Sequence, residues 1–263
     1  MPFLVKLIKS MNLNKSHIGA AQPLITQNIL KEIDINVPNY EKQVKISTIL
    51  RKIDEKIELN NQINKNLLEI GLLLVNKYFA KERNRISLKN VIKFTKGKKP
   101  KSITNVKQKD YEKYLTIACL NNKELNYADV DKMITADKHI LMVMDGASSG
   151  DIYYSHYGVV GSTLARIDII TKSFNKEYIY FCLKKYSELI KSKNTGSAIP
   201  HTDKVFVNSL EIPEIDIEEQ QSFISLLSKI EENKKENHIL EQLQNTILPK
   251  LMKGQIKLEK IEI

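Results

Sequence analysis

The sequence predicts an α+β protein, with one globular α/β domain and two long helices paired as an antiparallel coiled coil. Three observations predict it. One stretch occurs twice: PEIDIEEQQSFISLLSKIEENKKENHILEQLQNTILPKLMKG, from Pro213 to Gly254, follows the plan of PNYEKQVKISTILRKIDEKIELNNQINKNLLEIGLLLVNK, from Pro38 to Lys77. Each copy opens with a proline, reaches a glutamine and becomes a long apolar-periodic segment. Between the copies, residues 81–212 are short β-branched and apolar runs separated by Gly, Asn and Asp turns.

The first 38 residues are expected to be a tail fragment. Residues 2–13 predict a short helix. HIGAAQPLIT and NILKEIDINVP then read as a loop followed by a short strand. Gly19-Ala-Ala-Gln-Pro23 matches Gly196-Ser-Ala-Ile-Pro200, and Gln43 matches Gln220 at the same offset. Ile35-Asn-Val-Pro38 matches Leu210-Glu-Ile-Pro213 two residues out of step. Residues 1–38 are therefore expected to repeat the end of the region that closes near Pro213, as if the chain began partway through a first copy.

Residues 39–80 hold the first long helix, predicted over 41–79. A heptad written from Ile46 puts Ile46, Ile53, Asn60, Leu67 and Leu74 at one seam position, with Ile49, Ile63 and Ile70 at the other, interrupted by Lys56. The second helix, predicted over 218–252 within residues 213–263, puts Phe223, Ile230, Asn237, Gln244 and Leu251 at one position, with Leu226, Leu240 and Ile247 opposite. Asn60 and Asn237 are equivalent in the two copies. A seam asparagine costs stability but fixes register, and antiparallel pairing would bring these two together. Pro249 is expected to bend or end the second helix.

In residues 81–212, RISLKNVIKFTKGKKPKS predicts a strand or short helix, a glycine turn and a basic loop. YLTIACLNN, HILMVMDG, DIYYSHYGVVG and TLARIDII predict strands. EYIYFCLKKYSELIKSKN predicts one amphipathic helix, with Tyr178, Phe181, Leu183, Tyr186 and Leu189 at helical spacing. TGSAIPHT reads as a loop and FVNSLEIP as a closing strand.

The formal charge of +10, from 41 Lys+Arg against 31 Asp+Glu, points to an anionic partner, with nucleic acid first. An AT-rich genome, which inflates Lys, Asn and Ile, is the other source of that balance. Cys119 and Cys182 each lie in an apolar run and read as buried thiols of a reducing compartment. No segment reads as a signal peptide or as a membrane span, so a cytoplasmic protein is expected.

Catalytic motifs are missing. Gly146-Ala-Ser-Ser-Gly150 is followed by Asp151, not Lys-Ser/Thr, so there is no phosphate-cradling lysine. There is no GxGxxG and no Asn/Asp-Pro-Pro-Tyr. Glu232-Asn233-Lys234 carries the ExK of some nucleases but falls on a helical polar face. His17, His139, His156, His201 and His238 are scattered and make no metal spacing. No cofactor or metal is expected. Three loops suit binding instead. Lys96, Lys98, Lys99 and Lys101 surround Gly97 and suit phosphate contact. Ser148 and Ser149 lie in the small-residue loop 145–150, which otherwise reads as a tight hairpin turn. Asn194, Thr195 and Lys204 lie in a donor-rich connector that can meet phosphates or base edges.

Taken in order, these pieces resemble the specificity subunit of type I restriction–modification systems. The residues that carry the resemblance are Leu141-Met-Val-Met-Asp145-Gly146-Ala147 with Gly150, Tyr178-Ile-Tyr-Phe181, Thr195-Gly-Ser-Ala-Ile-Pro200, and Leu210-Glu-Ile-Pro213 leading to Glu218-Glu219-Gln220. The run Ile247-Leu-Pro-Lys-Leu-Met-Lys-Gly254 follows. The resemblance implies a non-catalytic subunit in which each target-recognition domain reads half of a split double-stranded DNA target. The paired helices are a spacer: a helix of about 36 residues is about 54 Å long, on the order of 15 base pairs. It also implies docking to methyltransferase subunits and, through them, to the restriction subunit. Here only 81–212 is a complete recognition domain, so a homodimer of half-subunits is one way to rebuild a two-domain reader. The rival reading is a coiled-coil adaptor, or an inhibitor of a restriction complex, without DNA contact of its own. A nuclease would need a clustered carboxylate site, which the sequence lacks.

Overall fold

A computed structural model describes residues 26–31, 37–81, 83–196 and 199–252. The expected helix at 2–13, the Gly19–Pro23 match and the segment beyond Met252 lie outside the described residues. The elements are α1 (Gln27–Lys31), α2 (Tyr40–Phe79), β1 (Arg85–Ser87), a 3-10 turn (Leu88–Asn90), β2 (Ile92–Lys96), β3 (Ile103–Thr104), β4 (Tyr111–Leu115), α3 (Ile117–Leu120), β5 (Tyr127–Asp129), β6 (Thr135–Val143), β7 (Ile152–Val160), β8 (Leu164–Ile169), α4 (Lys176–Lys185), α5 (Ser187–Ser192), α6 (Lys204–Ser209), β9 (Glu211–Pro213) and α7 (Ile217–Met252). The chain divides into two compact units, one from Met1–Lys65 with Glu232–Ile263, the other Asn66–Glu231.

The first unit is a helix pair. Gln244 donates to Asp54 (2.8 Å), Asn60 to Asn237 (2.8 Å) and Asn233 to Asn64 (2.8 Å). Partner numbers fall as residue numbers rise, so the helices run antiparallel. Asn60 and Asn237, 177 residues apart, meet directly and are both buried. Asn237 also donates to Asn61, and Asn60 to Glu236. The second amide pair, Asn64 with Asn233, has no counterpart in the heptad reading.

The heptad reading drifts for a physical reason. Ile46, Ile49, Leu50, Ile53, Asn60, Asn64 and Val75 are buried, whereas Ile70, assigned to the seam, is exposed. An α-helix has about 3.6 residues per turn, so a strict seven-residue repeat slips by about 20° per heptad and leaves the buried face. In α7 the buried position is Leu227 rather than Leu226.

The duplication is also visible at the helix starts. The Gln220 side chain donates to the Ile215 carbonyl, five residues back, and Gln43 donates in the same way to the Pro38 carbonyl. Each glutamine thus ties the entering chain to the first helical turn. Pro249 does not end α7, which continues to Met252.

The second unit is built on a seven-stranded sheet in the order β2-β8-β6-β7-β4-β5-β3, with β1 and β9 as a separate two-stranded ribbon. All pairs are antiparallel except β4 with β7. Side chains alternate across β6. Ile140 and Met142 join the main core with Ile152, Tyr154, Ile167, Tyr178, Phe181 and Phe223. Leu141 and Val143 join a smaller core with Leu115, Leu120, Val160 and Leu164.

Four expected elements differ. YLTIACLNN is strand only to Leu115; Thr116 then accepts from the Cys119 amide and starts the one-turn α3. FVNSLEIP is helix before it is strand, because Asp203 accepts from the amides of Val205 and Phe206 and caps α6. The expected single amphipathic helix is two, α4 and α5, divided at Tyr186, and Tyr178 through Leu183 are all buried, so α4 has no solvent face along that run. Finally, Gln27–Lys31 is helical where a loop and strand were expected.

Candidate nucleic-acid interface

The three loops singled out in the sequence come together in the second unit. Asp145 is the junction. One carboxylate oxygen lies 2.9 Å from Lys96 Nζ and the other 2.8 Å from His201 Nδ1. The Gly146 amide donates to the Pro200 carbonyl (2.9 Å), and Thr202 Oγ1 donates to the Val143 carbonyl (2.7 Å). Asn194 Nδ2 donates to the Ser149 carbonyl (2.9 Å). The end of β2, the 145–150 loop and residues 194–196 and 199–202 of the connector therefore form one surface. Burial pushes the Asp145 carboxyl up, but the hydrogen bonds from Lys96 and His201 and the Lys96 charge outweigh it and hold the carboxyl below its ordinary value.

The basic loop leaves this junction through Gly97. Its amide donates to Leu164 O (2.9 Å), and a Cβ at Gly97 would lie 2.2 Å from the Gly161 carbonyl oxygen, so only glycine fits there. Pro100 is buried and Ser102 hydrogen-bonds Tyr111 at 2.6 Å, which anchors the far end. Lys98, Lys99 and Lys101 are exposed around these anchors, with no carboxylate partner among the described residues. Lys96 differs: it is held by Asp145 and serves as a strut.

The remaining expected residues divide. Ser149 is 2% exposed, and its hydroxyl lies 2.7 Å and 2.8 Å from the carbonyls of Gly146 and Pro200. The expectation that it faces a ligand is corrected: it ties two loops together. Ser148 is half-buried and its carbonyl accepts from the Asp151 amide. Asn194 is half-buried and acts as a tie to Ser149, whereas the side chains of Thr195 and Lys204 are exposed. The backbone of Thr195 pairs with His201 in both directions.

Two residues of this surface are not among the expected contact residues: Asp145, which the sequence places in the small-residue loop and in the motif of the resemblance without a role of its own, and His201, which lies in the donor-rich connector and makes no metal spacing. They are separated by 56 positions, so no local spacing signals their contact.

With this geometry in place, comparison with known proteins decides the family. The family model described as "Type I restriction modification DNA specificity domain" matches residues 1–69 and 81–245. The chain belongs to this family. Among curated specificity-domain proteins, the type I restriction enzyme MjaVIII specificity subunit of Methanocaldococcus jannaschii is 27% identical over 146 residues, covering 54% of this chain and 34% of that protein. The MjaIX specificity subunit of the same organism is 24% identical over 285 residues, covering 92% of this chain and 65% of that protein. The chain thus spans less than two thirds of the length of either relative. The crystal structure of the type I restriction–modification S subunit from M. genitalium matches with a TM-score of 0.60 at 20% identity, covering 95% of this chain and 72% of that one; the fold is shared.

Proposed function

We propose that this specificity-domain chain is the non-catalytic DNA-reading subunit of a type I restriction–modification complex. In this reading residues 81–212 form the target-recognition domain and read half of a bipartite double-stranded target. Residues 39–80 and 213–263 carry the spacer helices, and 1–38 are the tail of a first recognition domain. Lys98, Lys99 and Lys101 contact phosphates and set position on the duplex, while base edges are read from the loops they flank. The helix pair docks methyltransferase subunits and, through them, the restriction subunit, and Asn60 with Asn237 pins its register. Two copies of the chain supply two readers, as suits a split site.

The observation that carries the reading is the convergence at Asp145 of the end of β2, the 145–150 loop and the connector through His201, with Lys98, Lys99 and Lys101 exposed on the loop that leaves this junction and without carboxylate partners among the described residues. An adaptor has no use for such a cluster. The test is to express the methyltransferase subunits of the same system with and without this chain and to map methylated sites. Site-selective methylation that depends on the chain supports the reading. Identical methylation in its absence contradicts it.

A further inference from the structure

Lys98, Lys99 and Lys101 are exposed side chains suited to phosphates. His201 is built differently. Its backbone amide and carbonyl are both bonded to Thr195, at 2.7 Å and 2.9 Å, and the preceding carbonyl, of Pro200, is held by the Gly146 amide. Its ring sits over Gly196, which has φ +89°; a Cβ there would lie 3.1 Å from His201 Cδ2. Its Nδ1 is fixed on Asp145 at 2.8 Å, yet the side chain is 49% exposed. A ring fixed on one side and open on the other is preorganised to meet a ligand atom.

The fixed side determines the chemistry of the open side. Asp145 is held ionised by Lys96 and His201 and can only accept, so His201 Nδ1 carries the proton. In the neutral ring Nε2 then carries a lone pair, and it has no partner among the described residues. An acceptor presented to the major groove suits the exocyclic amine of adenine or cytosine and is repelled by the keto oxygen of guanine or thymine.

Building on the DNA-reading function proposed above, we propose that His201, positioned by Asp145, is a specificity-determining residue that accepts a hydrogen bond from an adenine or cytosine amine. Sequence discrimination at one base position then rests on a side chain that adds nothing to phosphate contact.

The test uses the full chain with the methyltransferase subunits of its own system and genome-wide mapping of methylated sites. The variants are H201F, which keeps the ring shape without nitrogen, H201A, which removes the ring, and the phosphate control K98A/K99A. In H201F and H201A one motif position that demands adenine or cytosine is expected to admit guanine or thymine, a relaxation of roughly tenfold or more, with the other positions unchanged. K98A/K99A is expected to lower methylation at all sites without altering the motif. An unaltered motif in H201F and H201A, or a uniform loss at every site in both, overturns the role of His201 while leaving the DNA-reading function standing. Absence of any motif in the wild type overturns the DNA-reading function itself and this assignment with it.

Discussion

The two units solve burial in opposite ways. The helix pair puts amides in its seam: Asn60, Asn64, Asn233 and Asn237 are buried and hydrogen-bonded across the pair. The sheet unit puts rings in its core, where Phe223 lies 5.3 Å from Tyr178 and 5.4 Å from Phe181 by ring centroid. Aromatic burial gives stability with little restriction on sliding, whereas a buried amide gives little net stability but is satisfied in few registers. One unit is built to stay folded, the other to hold an alignment.

The largest expected effect lies in the sheet unit. Phe181 is fully buried, and its ring is so close to Gly71 that a Cβ there would lie 2.1 Å from it. Phe181→Ala is expected to cost about 3–5 kcal/mol in urea denaturation, and Gly71→Ala to destabilise by overpacking.

In the helix pair the effect is smaller and depends on how the change is made. Asn60→Ala leaves the buried Asn237 Oδ1 without its donor and is expected to cost about 1–3 kcal/mol. Replacing both by leucine is expected to be neutral or stabilising, with loss of unique alignment seen as heterogeneous cross-linking between cysteines placed along α2 and α7. A double variant as destabilised as the single one would break the contrast between the units.

Alkaline titration sharpens it further. Burial raises Tyr154 and Tyr178 well above the ordinary tyrosine range and pushes Tyr180 up to about 12. For tyrosines raised in the folded state, the stabilisation is fully present below the unfolded value near 10 and is lost as pH climbs toward the folded value. The sheet unit is therefore expected to hold its stability to about pH 10 and then lose about 1.4 kcal/mol per pH unit for each such tyrosine, followed by tyrosine absorbance and circular dichroism. In the same core Cys182 is fully buried and its thiol is pushed up by desolvation, so it is expected to resist alkylation in the native protein at neutral pH.

What could be read from sequence follows the range of the interactions involved. The duplication, both long helices, β6 through β8 and the basic loop are written in local periodicity and turn chemistry. Asn60 and Asn237 were legible because the repeat aligns them; Asn64 and Asn233 were not, since neither has an asparagine at the equivalent place in the other copy. The segments Ile117–Leu120 and Lys204–Ser209 carry strand-like residues, and single capping side chains, Thr116 and Asp203, turn them into helix. In the candidate interface the exposed lysines were legible from composition. Ser149 was misread because its hydroxyl is taken up by a carbonyl 51 positions away, and the Asp145–His201 contact is equally remote.

The claim that the lysine loop faces DNA is tested most directly by the salt dependence of binding. The affinity of the wild-type chain, in complex with its methyltransferase subunits, is measured for target duplex across a range of salt, beside K98A/K99A. Each lost phosphate contact is expected to lower the slope of log K against log salt by about 0.9, so the variant is expected to bind more weakly with a slope shallower by roughly 1 to 2. An unchanged slope and affinity would contradict the account and remove this loop from the interface.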